Sequence, residues 1–373
     1  LGTRWRESRT GCPAFLSKYI VIEGDNMLDS YSNNVIAAKA RGMYGKHITK
    51  EEYEELLRCR SVSEVASYLK TQTHYREALE NVNPANIHRG QLENMLRREA
   101  FEEYSKMYRY LNAKRENLFH YVIMEEEIVE ILRMVLLLKA DNAESFIMDL
   151  PAYLIAQASV DLMAVARVHT YDELIGVLKG TDYAAILERF HPTKEVPTIN
   201  YVACEHAFYE YFFKRYFAMM KKNYKGRAGK ELEELLLTRI ELMNLTSIYR
   251  TKVFFGAKSS TVARRLYPYR YKLKEKQVQD MIGAPDKESL ERVIASTAYS
   301  RQLAFGEYPY IENYTDRLRY RISRKYLHFS TSASVVFLAY FTLSQLELNN
   351  IVSIIEGIRY QESAEDIRKL LIL

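Results

Sequence analysis

Eight histidines, three cysteines and a run of glutamates are the residues with most chemistry to offer. His47, His74, His88, His120, His169, His191, His206 and His328 never fall three or four apart, so no two can share a helix face as metal ligands. Cys12, Cys59 and Cys204 are distant, odd in number and form no CxxC; neither a disulfide framework nor a zinc finger is expected, and a reducing compartment fits. The sequence holds no G-x-S-x-G, H-E-x-x-H or paired-glycine dinucleotide fingerprint, and neither Cys59 nor Cys204 has a sequence-visible base. Gly226-Arg227-Ala228-Gly229-Lys230-Glu231 lacks the glycine spacing and the Ser or Thr of a phosphate loop, and Glu231 would repel phosphate. A helix N-terminus after a flexible turn is expected there. Glu125-Glu126-Glu127 with Glu130 could collect a cation, but adjacent helix positions diverge, so a solvated or partner-facing side is expected. The expectation is a non-enzyme with no catalytic residue, cofactor or metal.

The elements that would position such residues are helical. The 373 residues suffice for two or three cores. With 14 glycines, 8 prolines, 27% charged and 48% hydrophobic residues, collagen-like and disordered classes are excluded. Proline is absent from Ala14 to Asn83, Ala85 to Leu150, Thr198 to Tyr267 and Tyr310 to Leu373, which suits helices. Pro13 to Ile22 does not read as a secretory signal, so a cytosolic product is expected. Tyr326 to Leu346 carries no Asp, Glu, Lys or Arg and is long enough to span a bilayer, yet its many Ser and Thr favour a buried core helix.

One helical motif occurs three times. Ser61 to Leu79 holds Glu64, Val65, Leu69, Thr73, Tyr75 and Leu79; Thr170 to Leu187 holds Glu173, Leu174, Leu178, Thr181, Tyr183 and Leu187; the third copy has Leu290, Ile294, Thr297, Tyr299 and Leu303. Apolar steps of four belong to one helical face. Ser61, Thr170 and Asp286 precede the first apolar position by four and can cap a helix, and Ser61 with Glu64 and Thr170 with Glu173 make capping boxes. Only copy one needs a one-residue insertion. A long helix follows each copy, with Glu127 to Arg133, Asn244 to Arg250 and Asn350 to Glu356 set in register. The expected architecture is all-α: helical repeats at 27–150, 151–262 and 263–373, stacked along shared apolar faces, with 1–26 an extension outside the fold.

The 53 basic and 48 acidic residues leave only +5, too little to imply nucleic acid or anionic lipid by itself. The segment 261–326 carries 14 Lys and Arg against 8 Asp and Glu. There Arg264, Arg265, Arg270, Lys272 and Lys274 interleave with Tyr267, Tyr269 and Tyr271, and Arg317, Arg319, Arg321, Arg324 and Lys325 follow. Cations beside stacking aromatics suit single-stranded nucleic acid, the alternative function; a solvated or protein-facing basic face is the simpler one.

These residues resemble a known family, the C subunits of bacterial and archaeal V/A-type rotary ATPases, whose counterpart in the eukaryotic vacuolar proton pump is the d subunit. The resemblance runs from about Met27 to the C-terminus. It rests on the opening Tyr31 to Met43, the triplicated unit, and the tail from Leu338-Ala339-Tyr340 through Glu347, Asn350 and Glu356-Gly357 to Ile367-Arg368. The resemblance implies a funnel of three helical subdomains around a central hollow, peripheral on the cytoplasmic face of the membrane. Such a protein receives the central shaft, made of the D and F subunits, sits on the membrane rotor ring, and serves ATP synthesis or ion transport without an active site or nucleic acid. On that footing Glu130, Arg133, Ser247, Arg250, Ser353 and Glu356 are expected to face the shaft. Arg264, Arg265, Arg317, Arg319 and Arg321 are expected to face the ring or acidic headgroups.

Overall fold

The structure is a computed structural model that describes residues 34–108, 118–148, 150–195, 198–306 and 308–373; the expected extension at 1–26, the opening residues up to Asn33, and Cys12 lie outside them. Among the described residues every regular element is a helix. The chain first forms α1 (34–44), α2 (Lys50–Leu56), α3 (Val62–Gln72), α4 (Arg89–Tyr108) and α5 (Leu118–Lys139). It continues through α6 (Ala152–Ile155), α7 (Leu162–Val165), α8 (Tyr171–Val177), α9 (Asp182–Glu188), α10 (Tyr201–Asn223) and α11 (Gly226–Val253). It ends with α12 (Ser259–Ala263), α13 (Glu275–Gly283), α14 (Lys287–Ala295), α15 (Ala298–Gln302), α16 (Ile311–Phe329), α17 (Ala333–Arg359) and α18 (Ala364–Leu370). Short helices precede a pair of long ones in each stretch.

The repeated motif folds the same way each time because its caps recur. Ser61, Thr170 and Asp286 open α3, α8 and α14 by accepting the N–H three residues on, at 3.2, 3.2 and 2.7 Å. Replacing such a cap by Ala costs about 1 kcal/mol. The carboxylates of Glu64 and Glu173 reach one residue beyond the expected box, to the N–H of Arg60 (2.8 Å) and His169 (2.7 Å). A second cap ends each short helix and starts the next turn: the hydroxyls of Thr73, Thr181 and Thr297 donate at 2.7 Å to the carbonyls of Leu69, Leu178 and Ile294. They also accept the N–H of Tyr75, Ala184 and Ser300. The extra residue of copy one falls between Leu69 and Thr73, and there a 3-10 turn, His74–Arg76, stands where α9 and α15 stand later.

Burial follows the stripes. Val65, Leu69, Leu174, Leu178, Leu290 and Ile294 are buried, each contributing about 1.5–3 kcal/mol. The lobe formed by 48–96 does not pack on the long helix that follows it. Its core is shared with Leu348, Ile351, Ile354 and Ile355 of α17 and Ile367 of α18. The lobe around α12 to α15 shares its core with Leu242, Leu245 and Ile248 of α11. The lobe around α6 to α9 shares one with Ile128, Ile131 and Val135 of α5. Each short-helix lobe thus seats on the long helix of the preceding copy, and the first seats on the last.

The uncharged stretch from Tyr326 to Leu346 is not one helix. Residues Ser330 to Ser332 part α16 from α17, where the Ser330 hydroxyl donates to Glu231 (2.5 Å) and accepts the Ser332 N–H (3.1 Å). Helix α17 is long and apolar enough to cross a membrane, and 67% of its most apolar window is buried within the fold. Gly226 does open α11, at a φ of +60° that favours glycine.

Candidate functional site

Three buried tyrosine–glutamate pairs hold the lobes to the long helices. Tyr183 donates to Glu127 on α5 (2.7 Å), Tyr299 to Glu241 on α11 (2.6 Å), and Tyr75 to Glu347 on α17 (3.0 Å). All six residues are buried. The tyrosines recur visibly in the sequence; their acceptors do not. Glu127, expected on a solvated acidic side, is 2% exposed, because it also takes the backbone N–H and the hydroxyl of Ser159. Glu241 takes three successive backbone N–H groups, from Tyr271 (2.7 Å), Lys272 (2.8 Å) and Leu273 (3.0 Å). A carboxylate with its lone pairs engaged in this way tolerates burial, whereas a carboxylate without partners does not.

The third pair is built differently. Glu347 takes a single backbone N–H, from Ile48 (2.7 Å), and faces His47 Nδ1 at 3.2 Å and His74 Nε2 at 3.4 Å, with the two imidazoles stacked. Burial pushes the Glu347 carboxyl up to about 8, against the pull of the Ile48 N–H and Tyr75. Burial also holds His47 down to about 3 and His74 to about 4.

One turn beyond these glutamates, Asn244 and Asn350 each grip one backbone residue with both amide atoms. Asn244 donates to the carbonyl and accepts the N–H of Tyr267 (3.0 and 2.9 Å). Asn350 does the same to Ile372 (2.9 and 2.9 Å). Their counterpart on α5 is Glu130, three residues after Glu127 as Asn244 is after Glu241. The sequence register, which set Glu127 against Asn244 and Asn350, is therefore one helical turn out.

The long helices α5, α11 and α17 come together around a cavity of about 300 Å³, lined among others by Glu126, Val129, Leu235, Arg239, Phe341 and Gln345. Arg239 and Glu125 form an ion pair on its wall. Burial, with Glu125 next in effect, raises the Glu126 carboxyl to about 7. The acidic run 125–127 is thus not a solvated side: one member locks a lobe and two face this hollow. A wider hollow of about 690 Å³ adjoins it and shares Arg239 and Arg319 in its lining.

Of the residues expected to face a shaft, Ser247 and Arg250 line the wider hollow, Arg250 pairing with Glu312 at 3.1 Å. Glu130 is buried and holds Arg133 (2.5 Å), whose guanidinium lies over Phe146; Glu130 is not on the polar side of its helix. Glu356 pairs with Arg89 (2.6 Å), and Ser353 is half-buried. Of the basic set, Arg265 and Arg319 line the wider hollow with Ser247, so the two sets are not separated in space. Arg264 is exposed; Arg317 donates to the Leu371 carbonyl and Arg321 to that of Gln302.

Of the three aromatics interleaved with the basic segment, Tyr271 is exposed with Lys272 over its ring, while the other two are packed. Tyr267 packs edge-on to Phe213 and flat on His206, and Tyr269 lies flat on Phe217. Burial pushes the Cys204 thiol up to about 12, the reverse of what a nucleophile needs. Among the described residues no group of three or more His, Cys, Asp or Glu could hold a metal ion.

The protein family described as ATP synthase (C/AC39) subunit matches residues 36–370. A curated relative, the C subunit of the A-type ATP synthase of Methanobrevibacter smithii, is 23% identical over 301 residues, which span 79% of this chain and 73% of the relative.

Proposed function

Because the chain belongs to the ATP synthase (C/AC39) subunit family, we propose that it is the non-catalytic socket of the central stalk, coupling the D and F shaft to the membrane rotor ring during ATP synthesis or ATP-driven ion transport. Its partners are other subunits of that complex. The observation that supports the finer reading is the closed set of Tyr–Glu pairs: each copy locks onto its predecessor and the first locks onto the last, around a hollow walled by α5, α11 and α17. A part that passes torque must not shear, and close-packed helices tied by buried hydrogen bonds have low compressibility.

In this reading 27–150, 151–262 and 263–373 are the three subdomains of a funnel. Ser247, Arg250, Arg133, Ser353 and Glu356 contact the shaft, and Glu130 acts by fixing Arg133. Arg264, Arg317 and Arg321 face polar loops of the ring or acidic headgroups at the cytoplasmic face, through modest, salt-sensitive contacts, whereas Arg265 and Arg319, lining the hollow with Ser247 and Arg250, go with the shaft side. The test is co-purification with the D and F pair and with membrane rings. Reversing the exposed Arg264 to Glu is expected to weaken ring retention at low salt, and reversing Arg250 to Glu to weaken shaft retention. Unchanged retention of both would refute the reading. The alternative of nucleic-acid binding keeps one exposed aromatic, Tyr271, because Tyr267 and Tyr269 are packed.

A further inference from the structure

The last three turns of α16 carry a feature that neither the lobes nor the hollow use. Arg317, Arg321, Arg324, Lys325 and His328 follow one another at steps of three or four, apart from the adjacent pair, and so share one face. They line a concave pocket of about 510 Å³ with Tyr320, Leu303, Phe329 and Leu373, and among the described residues no acidic side chain is in that lining. Two of the cations hold backbone carbonyls, and among the described residues none of the five is in an ion pair with a carboxylate. Arg321 gives its Nη1 to the Gln302 carbonyl at 2.5 Å, and Arg317 gives Nη2 to the Leu371 carbonyl at 3.0 Å while its Nε is buried with no partner. Lys325 lies over the ring of Tyr326. Arg319, on another face of the same helix, is paired with Asp316 at 2.9 Å, so the lack of carboxylates belongs to this face. Phe329, the last residue of α16, is 75% exposed beside the pocket.

Clustered like charges repel, and a neutral pocket would be cheaper unless an anion is meant to fill it. Guanidinium groups match phosphate oxygens in fork geometry, and the pocket has the volume of a small-ligand site. A soluble anion would gain nothing from an exposed phenyl ring at the rim; a bilayer surface would accept it at headgroup depth. We propose that this pocket binds the phosphate of an anionic phospholipid headgroup, with Phe329 entering the interface beside it. The inference rests on the reading of the chain as a peripheral protein next to a membrane.

The test is co-sedimentation of the full chain with phosphatidylcholine vesicles, with and without phosphatidylglycerol, at fixed low salt. Each basic side chain near an anionic surface is worth roughly a fivefold factor in binding. The exposed pair Arg324→Gln with Lys325→Gln is therefore expected to lose about 25-fold in affinity for the anionic vesicles. The charge-matched pair Arg167→Gln with Lys179→Gln, exposed on the second lobe, is expected to lose far less, and Phe329→Ser to weaken vesicle binding while leaving glycerol 3-phosphate titrations unchanged. Equal loss in the two charge-matched pairs would overturn the site in favour of general attraction. Binding of glycerol 3-phosphate or inorganic phosphate without vesicle binding would overturn the lipid assignment. Retention by the D and F pair and by detergent-solubilised rings is scored on the same variants. Intact retention without vesicle binding refutes the headgroup site and leaves the coupling role standing; vesicle binding without retention by either partner refutes the coupling role.

Discussion

Replacing Glu241 by Gln tests whether a buried carboxylate organises the lobe that follows α11. Oε1 takes the N–H groups of Tyr271 and Leu273, while Oε2 takes the Lys272 N–H and the Tyr299 hydroxyl. An amide keeps one oxygen and turns an NH2 toward the other pair of donors. The Tyr299 hydroxyl can rotate to accept, but no backbone N–H can, so either orientation leaves at least one N–H facing a donor. An unsatisfied buried donor costs about 1–3 kcal/mol, and losing the charge on the remaining bonds adds about 1–2 kcal/mol. The sum is about 4 kcal/mol. Over 373 residues, at about 2 cal/mol/K of unfolding entropy each, that lowers Tm by roughly 5 °C.

Tyr299→Phe removes one donor and leaves three, so about 1.5 kcal/mol, or roughly 2 °C, is expected. Thermal unfolding ranks the two variants, and hydrogen exchange separates their causes. Protection of the 271–273 amides should fall in Glu241→Gln and persist in Tyr299→Phe. Equal Tm losses with unchanged exchange at 271–273 would refute the idea that the carboxylate, rather than lobe packing, fixes that turn.

Gly357 on α17 is packed under Ile367 of α18, whose Cδ1 would lie 2.6 Å from an added Cβ; Gly357→Ala should destabilise by about 1–3 kcal/mol. Gly176 within α8 has open space around it, so Gly176→Ala should stabilise by about 0.5–1 kcal/mol; urea midpoints check both signs. The seam at Glu347 should make stability depend on pH. His47 and His74 are held down to about 3 and 4, so the unfolded chain binds more protons below about 6.5 and stability falls as pH drops from there through 4 to 3. Glu347, raised to about 8, works the other way, its contribution falling as pH rises from about 4.5 to 8. Urea midpoints should peak near about pH 6.5, and His47→Gln should flatten the acid limb by one proton; an unaltered limb rules the histidine out as its source.

The fold class was legible because helix signals are local. Caps at Ser61, Thr170 and Asp286 and apolar steps of four survive without knowledge of tertiary contacts, and the structure places them as expected. Glu127, Glu241 and Glu347 were not legible for the opposite reason. Glutamate is at home on any helix surface, and what sets these three apart is the set of donors from Ser159, from 271–273 and from Ile48, each remote in sequence or supplied by backbone. A signal was present: the spacing from glutamate to Asn244 and to Asn350 is three in both copies, and setting Glu130 there would have brought Glu127 into register. Glu130 disguised it, because in copy one an ion pair with Arg133 stands where the others have an asparagine clamp.

Closure changes what the repeats can do. Three units joined only in sequence would have two junctions, and under the proposed function a twist applied inside the hollow would open them like a spring. The bond from Tyr75 to Glu347 adds the third junction, 272 residues apart along the chain, so the twist meets a loop with no free end. That junction cannot draw on chain continuity, and further bonds cross it: Arg41 grips the carbonyls of Leu327 and Ser330 at 2.8 and 2.7 Å, Arg368 pairs with Glu54 at 2.5 Å, and Asn350 donates to Tyr53 at 3.2 Å. Exposed pairs such as Arg368 with Glu54 are worth little singly, but the buried bonds of Asn350 and Glu347 cannot open without leaving polar groups unpaired. The seam between the first and last copies is thus bonded where the covalent chain gives no help, as the proposed torque-passing role would need.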